Sequence, residues 1–247
     1  MAVDTPIPKT TTNAAGATAR PTPPKSVRPS SVILKMIMAV SGALLVLFLF
    51  AHAAGNLKIF VGATAFDHYA EWLRELGTPL LPHGWFLWLQ RTGLLVGIGL
   101  HIWAATALTI RAKKARPVKY AHRPKIQGSY AARTMRWGGV IIVLFVIYHI
   151  LDLTTGTFNP AGGDTDPSAR VIEGFAPDRW YVTLFYTLAV VSVGFHLRHG
   201  IWSAFRTLGQ QTTKGERRAK AVALVLSVVL VAMYLSVPFA VLTGLVG

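Results

Sequence analysis

Five long apolar stretches constrain this chain more than any other feature. They run about Val32–Ala54, Trp85–Ile110, Trp137–Leu153, Trp180–Phe205 and Ala221–Leu245. The third is the shortest and extends back to about Arg133, giving predicted helices at about 32–54, 85–110, 133–153, 180–205 and 221–245. Each is close to the ~20 residues that cross ~30 Å of hydrocarbon. In lipid every backbone N–H and C=O must be satisfied internally, which makes such stretches helices rather than open strands. Trp85, Trp88, Trp137, Trp180 and Tyr181 lie near their ends, where interfacial aromatics belong. The expected fold is therefore an all-α membrane protein with five transmembrane helices.

Composition agrees. Only 14% of the 247 residues are charged, against roughly 25% in soluble domains. That excludes a soluble globular enzyme, and 52% hydrophobic residues exclude a disordered chain. There is no cysteine. Disulfides, thiolate catalysis, Cys-ligated zinc, iron–sulfur clusters and covalent c-type haem attachment are thereby excluded within this chain. Residues 1–30 are rich in Pro, Thr, Ala and Lys/Arg, with no apolar core of the kind a cleavable signal needs. They read as a disordered basic tail ahead of a membrane domain at 31–247.

Charge then sets orientation. The tail holds Lys9, Arg20, Lys25 and Arg28. The connection between helices 2 and 3 carries nine basic residues from Arg111 to Arg136, including Lys119, Arg123 and Lys125, and no acid. The connection between helices 4 and 5 adds Arg206, Lys214, Arg217, Arg218 and Lys220. The other side has only Lys58, Arg74, Arg170 and Arg179, with most of the acids. The positive-inside rule places the N-terminus in the cytoplasm and the C-terminus outside. The net charge of +15 is then a matter of topology and needs no nucleic acid.

Ionisable residues inside spans are costly and point to function. Five of the eight histidines lie in the apolar stretches: His52, His101, His149, His196 and His199. One alone has a plain alternative as an interhelical hydrogen-bonding residue. Depth sorts the set into pairs, however. His52 and His149, on outward-running helices 1 and 3, lie roughly 3–6 Å inside the outer boundary at 1.5 Å per residue. His101 and His196, on inward-running helices 2 and 4, lie roughly 13 Å above the inner boundary. Two imidazole pairs at two depths suit two bis-imidazole haems, in a bundle of helices 1–4. Six-coordinate iron favours electron transfer over ligand chemistry. Gly42, Gly93, Gly97, Gly99, Gly138, Gly139, Gly194 and Gly200 offer flat surfaces for a porphyrin or for ordinary helix packing. Arg91 and Arg198 are cations near or inside spans, suited to propionates, with snorkelling as the alternative.

The residues also resemble a known family. The run His52-Ala-Ala-Gly55-Asn56-Leu-Lys58-Ile-Phe60-Val-Gly62, followed by Phe66-Asp-His68-Tyr69-Ala-Glu71-Trp-Leu73, carries the likeness. So do Arg91-Thr-Gly93 through His101-Ile-Trp103, and Phe195-His196-Leu-Arg198-His199-Gly200-Ile-Trp202. Together they resemble the diheme cytochrome b anchor of succinate dehydrogenase and fumarate reductase, in its single-anchor, five-helix, actinobacterial-like form, over about residues 30–245.

The resemblance implies a bacterial plasma-membrane subunit that anchors a flavoprotein and an iron–sulfur subunit on the cytoplasmic face. It implies two b haems in this chain, no flavin or iron–sulfur cluster, and menaquinone as the electron acceptor. By resemblance His101 and His196 bind the haem nearer the iron–sulfur subunit, and His52 and His149 bind the distal one. Succinate oxidation itself would lie in the partner subunits. His199, three residues on from His196, is left with a propionate, a quinone or plain packing as its role, beside the propionate reading of Arg91 and Arg198 given above. For the quinone, the outer loop offers His68, Tyr69, Glu71, Trp72 and Arg74, with Asp152 just past His149. An inner site near Lys35, Arg133 and Arg136 competes. Other readings stay open from the residues: the diheme subunit of another respiratory oxidoreductase, an anchor that has lost haem, or a His-dependent transporter.

Overall fold

The structure is a computed structural model, and it describes residues 29–115, 130–207, 209 and 212–247, with side chains from Met135 onward in the second stretch. Residues 1–28, the cluster Lys119, Arg123 and Lys125, and the Arg133 side chain lie outside the described residues. Among the described residues there is no strand. The helices are α1 (Ser31–Asn56), α2 (Ala63–Glu75), α3 (Trp85–Lys114), α4 (Tyr130–His149), α5 (Pro167–Gly174), α6 (Trp180–Thr207) and α7 (Thr213–Leu242). Five of them, α1, α3, α4, α6 and α7, are long and apolar enough to cross a membrane.

Local chemistry explains the boundaries. Ser30 caps α1, its hydroxyl accepting from the Ile33 N–H at 3.2 Å. Thr212 caps α7 in the same way, accepting from Gly215 at 3.1 Å. That cap starts α7 eight residues before the apolar stretch at Ala221, and an i,i+4 pair between Lys220 and Glu216 (2.7 Å) supports the added turns. α3 likewise runs on to Lys114, with Arg111, Lys113 and Lys114 in its last turn where the helix dipole favours cations.

Two elements lie in what reads from the sequence as loop. α2 is a 13-residue amphipathic helix, and α5 is a single eight-residue helix opened by Pro167 at its first position. Both sit at the end of the bundle where α1 and α4 finish, and they pack on each other. We refer to this as the capped end, and to the end holding Ser31, Lys114 and Thr213 as the basic end.

Neighbouring spans are antiparallel. On α1 and α3, Leu44 lies against Gly97, and Met38 against His101 nearer the basic end. On α4 and α6, His149 meets Tyr186 and Gly139 meets His196. The tightest packing is α6 on α7, α1 on α3 and α4 on α6. Tyr234 ties α7 to α1 by donating to the Leu49 carbonyl at 2.8 Å. One core cluster, Ala53, Leu197 and Leu230, joins α1, α6 and α7. Another, Phe175, Val182, Tyr186 and Val241, closes the capped end. Large apolar residues such as Leu47, Leu95, Leu144 and Leu188 stay exposed on the spans, where a lipid solvent would cover them.

At the capped end α4 passes into a five-residue π-turn, Ile150–Thr154, and then into a tight loop. Gly156 has φ +70°, and a Cβ there would run into the backbone carbonyl of Gly162. Gly156→Ala therefore meets both the left-handed penalty of about 1–2 kcal/mol and a backbone collision. Gly162→Ala, at φ +79° with open space around it, meets only the first. We expect the first variant to lower the thermal midpoint of the purified complex clearly more than the second. Equal effects would refute the close approach.

Candidate functional site

The five intramembrane histidines sort by level. Along α1, His101 of α3 is level with Met38 and Ser41, because its Nδ1 lies 3.1 Å from the Met38 carbonyl and 3.3 Å from Ser41 Oγ. His52 is eleven residues beyond Ser41 and fourteen beyond Met38 on the same helix, or roughly 16–21 Å at 1.5 Å per residue. Along α6, His149 is level with Tyr186, ten residues from His196, or roughly 15 Å. Two independent helices thus both put the levels more than two turns apart. His101 and His196 share the level nearer the basic end, and His52 and His149 the level nearer the capped end.

Within each level the rings face each other. The His52 and His149 centroids are 5.9 Å apart with planes at 83°. Those of His101 and His196 are 6.2 Å apart at 58°. The helix pairs that carry them, α1 with α4 and α3 with α6, are not among the closely packed pairs of the bundle. The imidazoles therefore reach toward each other across gaps. A metal–imidazole bond is about 2 Å, and a ring nitrogen lies about 1 Å from its own ring centre, so trans imidazoles on one metal have centroids about 6 Å apart. Both pairs meet that spacing.

The surroundings fit the same chemistry. His101 Nδ1 donates to a backbone carbonyl, which fixes the tautomer that leaves Nε2 as the free lone pair. Nδ1 of His149 and Nδ1 of His196 are buried without a hydrogen-bond partner, a cost that only a partner on that same nitrogen removes. A Cβ on Gly42 would stand 3.2 Å from His101 Cε1, so the absent side chain makes room for that ring. Gly139 lies 3.9 Å from His196 by the same measure. Gly194 instead admits Val231 of α7 and is a helix-packing glycine. Phe48 stacks on His52 at 5.4 Å and 13°. Among the described residues no group of three or more His, Asp or Glu side chains is arranged to hold a metal ion.

His199 lies one turn from His196 toward the basic end, its ring 5.4 Å from Trp202. Its Nδ1 and the Trp202 Nε1 are both buried and unpartnered. Trp202 carries Arg206 and Lys220 over its faces, each at 5.2 Å. Arg198 is exposed on α6. Arg91 is exposed on α3, stacked over Trp88 at 5.1 Å. Lys35 and Arg136 are exposed at the basic end.

The outer-loop residues divide. His68, Glu71 and Arg74 line a polar cavity of about 460 Å³ between α2 and the start of α5, with Asp67, Asp166 and Thr64. Asp67 accepts from the Ser168 N–H (2.9 Å) and hydroxyl (2.6 Å), which fastens α2 to α5. Glu71 accepts from His83 at 3.1 Å and Arg74 at 2.8 Å. The hydrogen bond from His83, then those donors' charge, hold its carboxyl below the usual range. Tyr69 turns away from this cavity and packs against Gly55 of α1, with Trp72 stacked on it at 5.8 Å. Asp152 does not line this cavity and is fully buried in the Ile150–Thr154 turn.

These features define a class: an all-helical, multi-pass membrane protein with paired imidazoles inside its bundle. Residues 111–234, half of the chain, match the succinate dehydrogenase/fumarate reductase transmembrane subunit family, and the chain belongs to that family. It is accordingly a membrane-anchor subunit in electron transport. The match runs from the last turn of α3 through α4 and α6 into α7, and so includes His149 and His196. No curated protein and no solved structure matches the chain.

Proposed function

We propose that this chain is the cytochrome b anchor of a succinate:menaquinone oxidoreductase of the bacterial plasma membrane, holding two b haems. The carrying observation is the pair of facing imidazole couples, 5.9 and 6.2 Å between centroids, at two levels of one bundle. His101 and His196 would hold the haem nearer the basic end, and His52 and His149 the other. Each haem, when bound, would supply one-electron redox chemistry.

The protein's own contribution is placement and dielectric. Met38 and Ser41 orient His101. Phe48, Phe145 and Tyr186 surround the His52–His149 couple with rings and exclude water from it. Next to His196, the buried N–H groups of His199 and Trp202 and the exposed Arg198 offer donors for propionates. The excess of basic residues orients the basic end to the cytoplasm, where the iron–sulfur and flavoprotein subunits would dock. We place the quinone headgroup at the capped end, near the cavity walled by His68, Glu71 and Arg74. Tyr69 and Trp72 would pack behind that wall.

The test is a dithionite-reduced minus oxidised spectrum of the purified membrane complex, with haem and chain both quantified. Two b haems per chain are expected, with the flavoprotein and iron–sulfur subunits copurifying. An intact complex without haem would overturn the reading.

A further inference from the structure

The capped end contains a buried carboxylate that electron transfer alone does not require. Asp152 is 0% exposed and lies in the π-turn that begins at the residue after His149. Taking a carboxylate out of water costs several kcal/mol unless it is paired and hydrogen-bonded. Here the Tyr186 hydroxyl donates to Oδ2 at 3.0 Å, the Asn159 amide donates to Oδ1 at 3.4 Å, and the Arg179 guanidinium stands 4.0 Å away. π-turns inside helices concentrate at functional sites, and this one is anchored by its own side chain.

Tyr186 links that anchor to the histidine. It is 5% exposed. Its ring lies 6.0 Å from the His149 ring at 65°, and is hemmed in by Phe145 at 5.1 Å and Phe175 at 4.8 Å. The hydroxyl bond to Asp152 fixes how far the ring can tilt, and the ring edge limits rotation of His149. The His149 Nδ1 has no hydrogen-bond partner that could set the ring plane directly. Packing by Tyr186 and by Phe145, whose ring Tyr186 meets edge-on at 5.1 Å, together with the backbone of the π-turn, holds it near perpendicular to His52, at 83°.

We propose that Asp152 and Tyr186 are positioning residues that set the plane of the His149 imidazole, and through it the electronic character of the haem held at the capped end. This rests on the haem reading above. Outer-shell partners orient metal ligands and tune the metal, and here the outer shell is a carboxylate–phenol pair acting through an aromatic edge.

Tyr186→Phe tests it, since the ring stays and the hydroxyl bond goes. The whole complex is purified, haem per chain is counted, and electron paramagnetic resonance and redox titration are recorded for both haems. In a low-spin bis-imidazole haem the largest g value reports the angle between the imidazole planes. We expect two haems per chain in the variant, a lowered largest g value and a shifted midpoint potential for one haem, and no change in the other. Two haems with unchanged signals and potentials would overturn the proposal. A wild-type complex without haem would instead refute the reading on which it rests. If Tyr186→Phe does not accumulate, Asp152→Asn is read in the same way. Failure of both variants to accumulate beside an intact wild type would overturn the proposal in favour of a purely structural staple.

Discussion

Replacing His149 with alanine is expected to halve the haem content of the complex while leaving its membrane assembly in place. The couple it forms with His52 is roughly 15 Å in depth from the couple formed by His101 and His196, and the two share no ring contact. Phe145 of α4 and Tyr186 of α6 pack on His149 and on each other, so the bundle keeps contacts there when the imidazole is removed. One haem per chain should remain, with the reduced-minus-oxidised band near half its amplitude. Its redox titration should show one step instead of two. His52→Ala should give the same remaining haem, whereas His101→Ala or His196→Ala should leave the other. Loss of both haems from any single change, in a complex that still assembles, would refute pairing by level.

The second large effect is expected from Arg170→Ala. Arg170 is 7% exposed and belongs to α5. Its Nε donates to the Leu153 carbonyl at 3.0 Å, and its Nη1 donates to the carbonyls of Gly163 (3.1 Å) and Thr165. Its own carbonyl accepts from Asn159 at 2.9 Å, and Asn159 also reaches Asp152. One guanidinium therefore fastens the π-turn, the loop after it and α5 together. Removing it leaves three carbonyls without their charged donor. At about 1.5–3 kcal/mol for a hydrogen bond to a charged group, discounted for water entering the loop, the loss is about 3–5 kcal/mol. The segment 155–166 should become open to protease, and its amides should exchange faster. The spans themselves should be unaffected. Arg170→Lys should recover only part of the protection, because an ammonium cannot present the planar fork that meets several carbonyls at once. Unchanged protease resistance in Arg170→Ala would show that α5 is held by packing alone.

The contrast between these two predictions follows what a sequence can specify. The spans were legible because lipid leaves the backbone one solution. A stretch of about twenty apolar residues must close its hydrogen bonds within itself, and α1, α3, α4, α6 and α7 are the result. The levels of His52, His101, His149 and His196 were legible for the same reason. A helix has a fixed rise, so a residue count along it is a depth.

α2 was only half legible. Phe66, Tyr69 and Leu73 repeat at helical spacing after Gly62, but thirteen residues beside a span carry too little signal to separate a helix from a loop. Asp152 was not legible at all. Its position after His149 marks it as a polar group near a helix end, and a rim carboxylate is the natural reading. Its burial depends on Tyr186, Asn159 and Arg179, which lie 7 to 34 residues away and meet only when α4, α5 and α6 have packed. Rotation is the other quantity that residue counting cannot reach. The count gives the height of each imidazole, while the 83° and 58° between ring planes are set by side chains on neighbouring helices. Sequence alone determined which segments cross the bilayer and at what depth each histidine sits, because those follow from one-dimensional geometry. Tertiary structure alone decided which groups are sealed from water and which way the rings face, because both depend on contacts between elements distant in the chain.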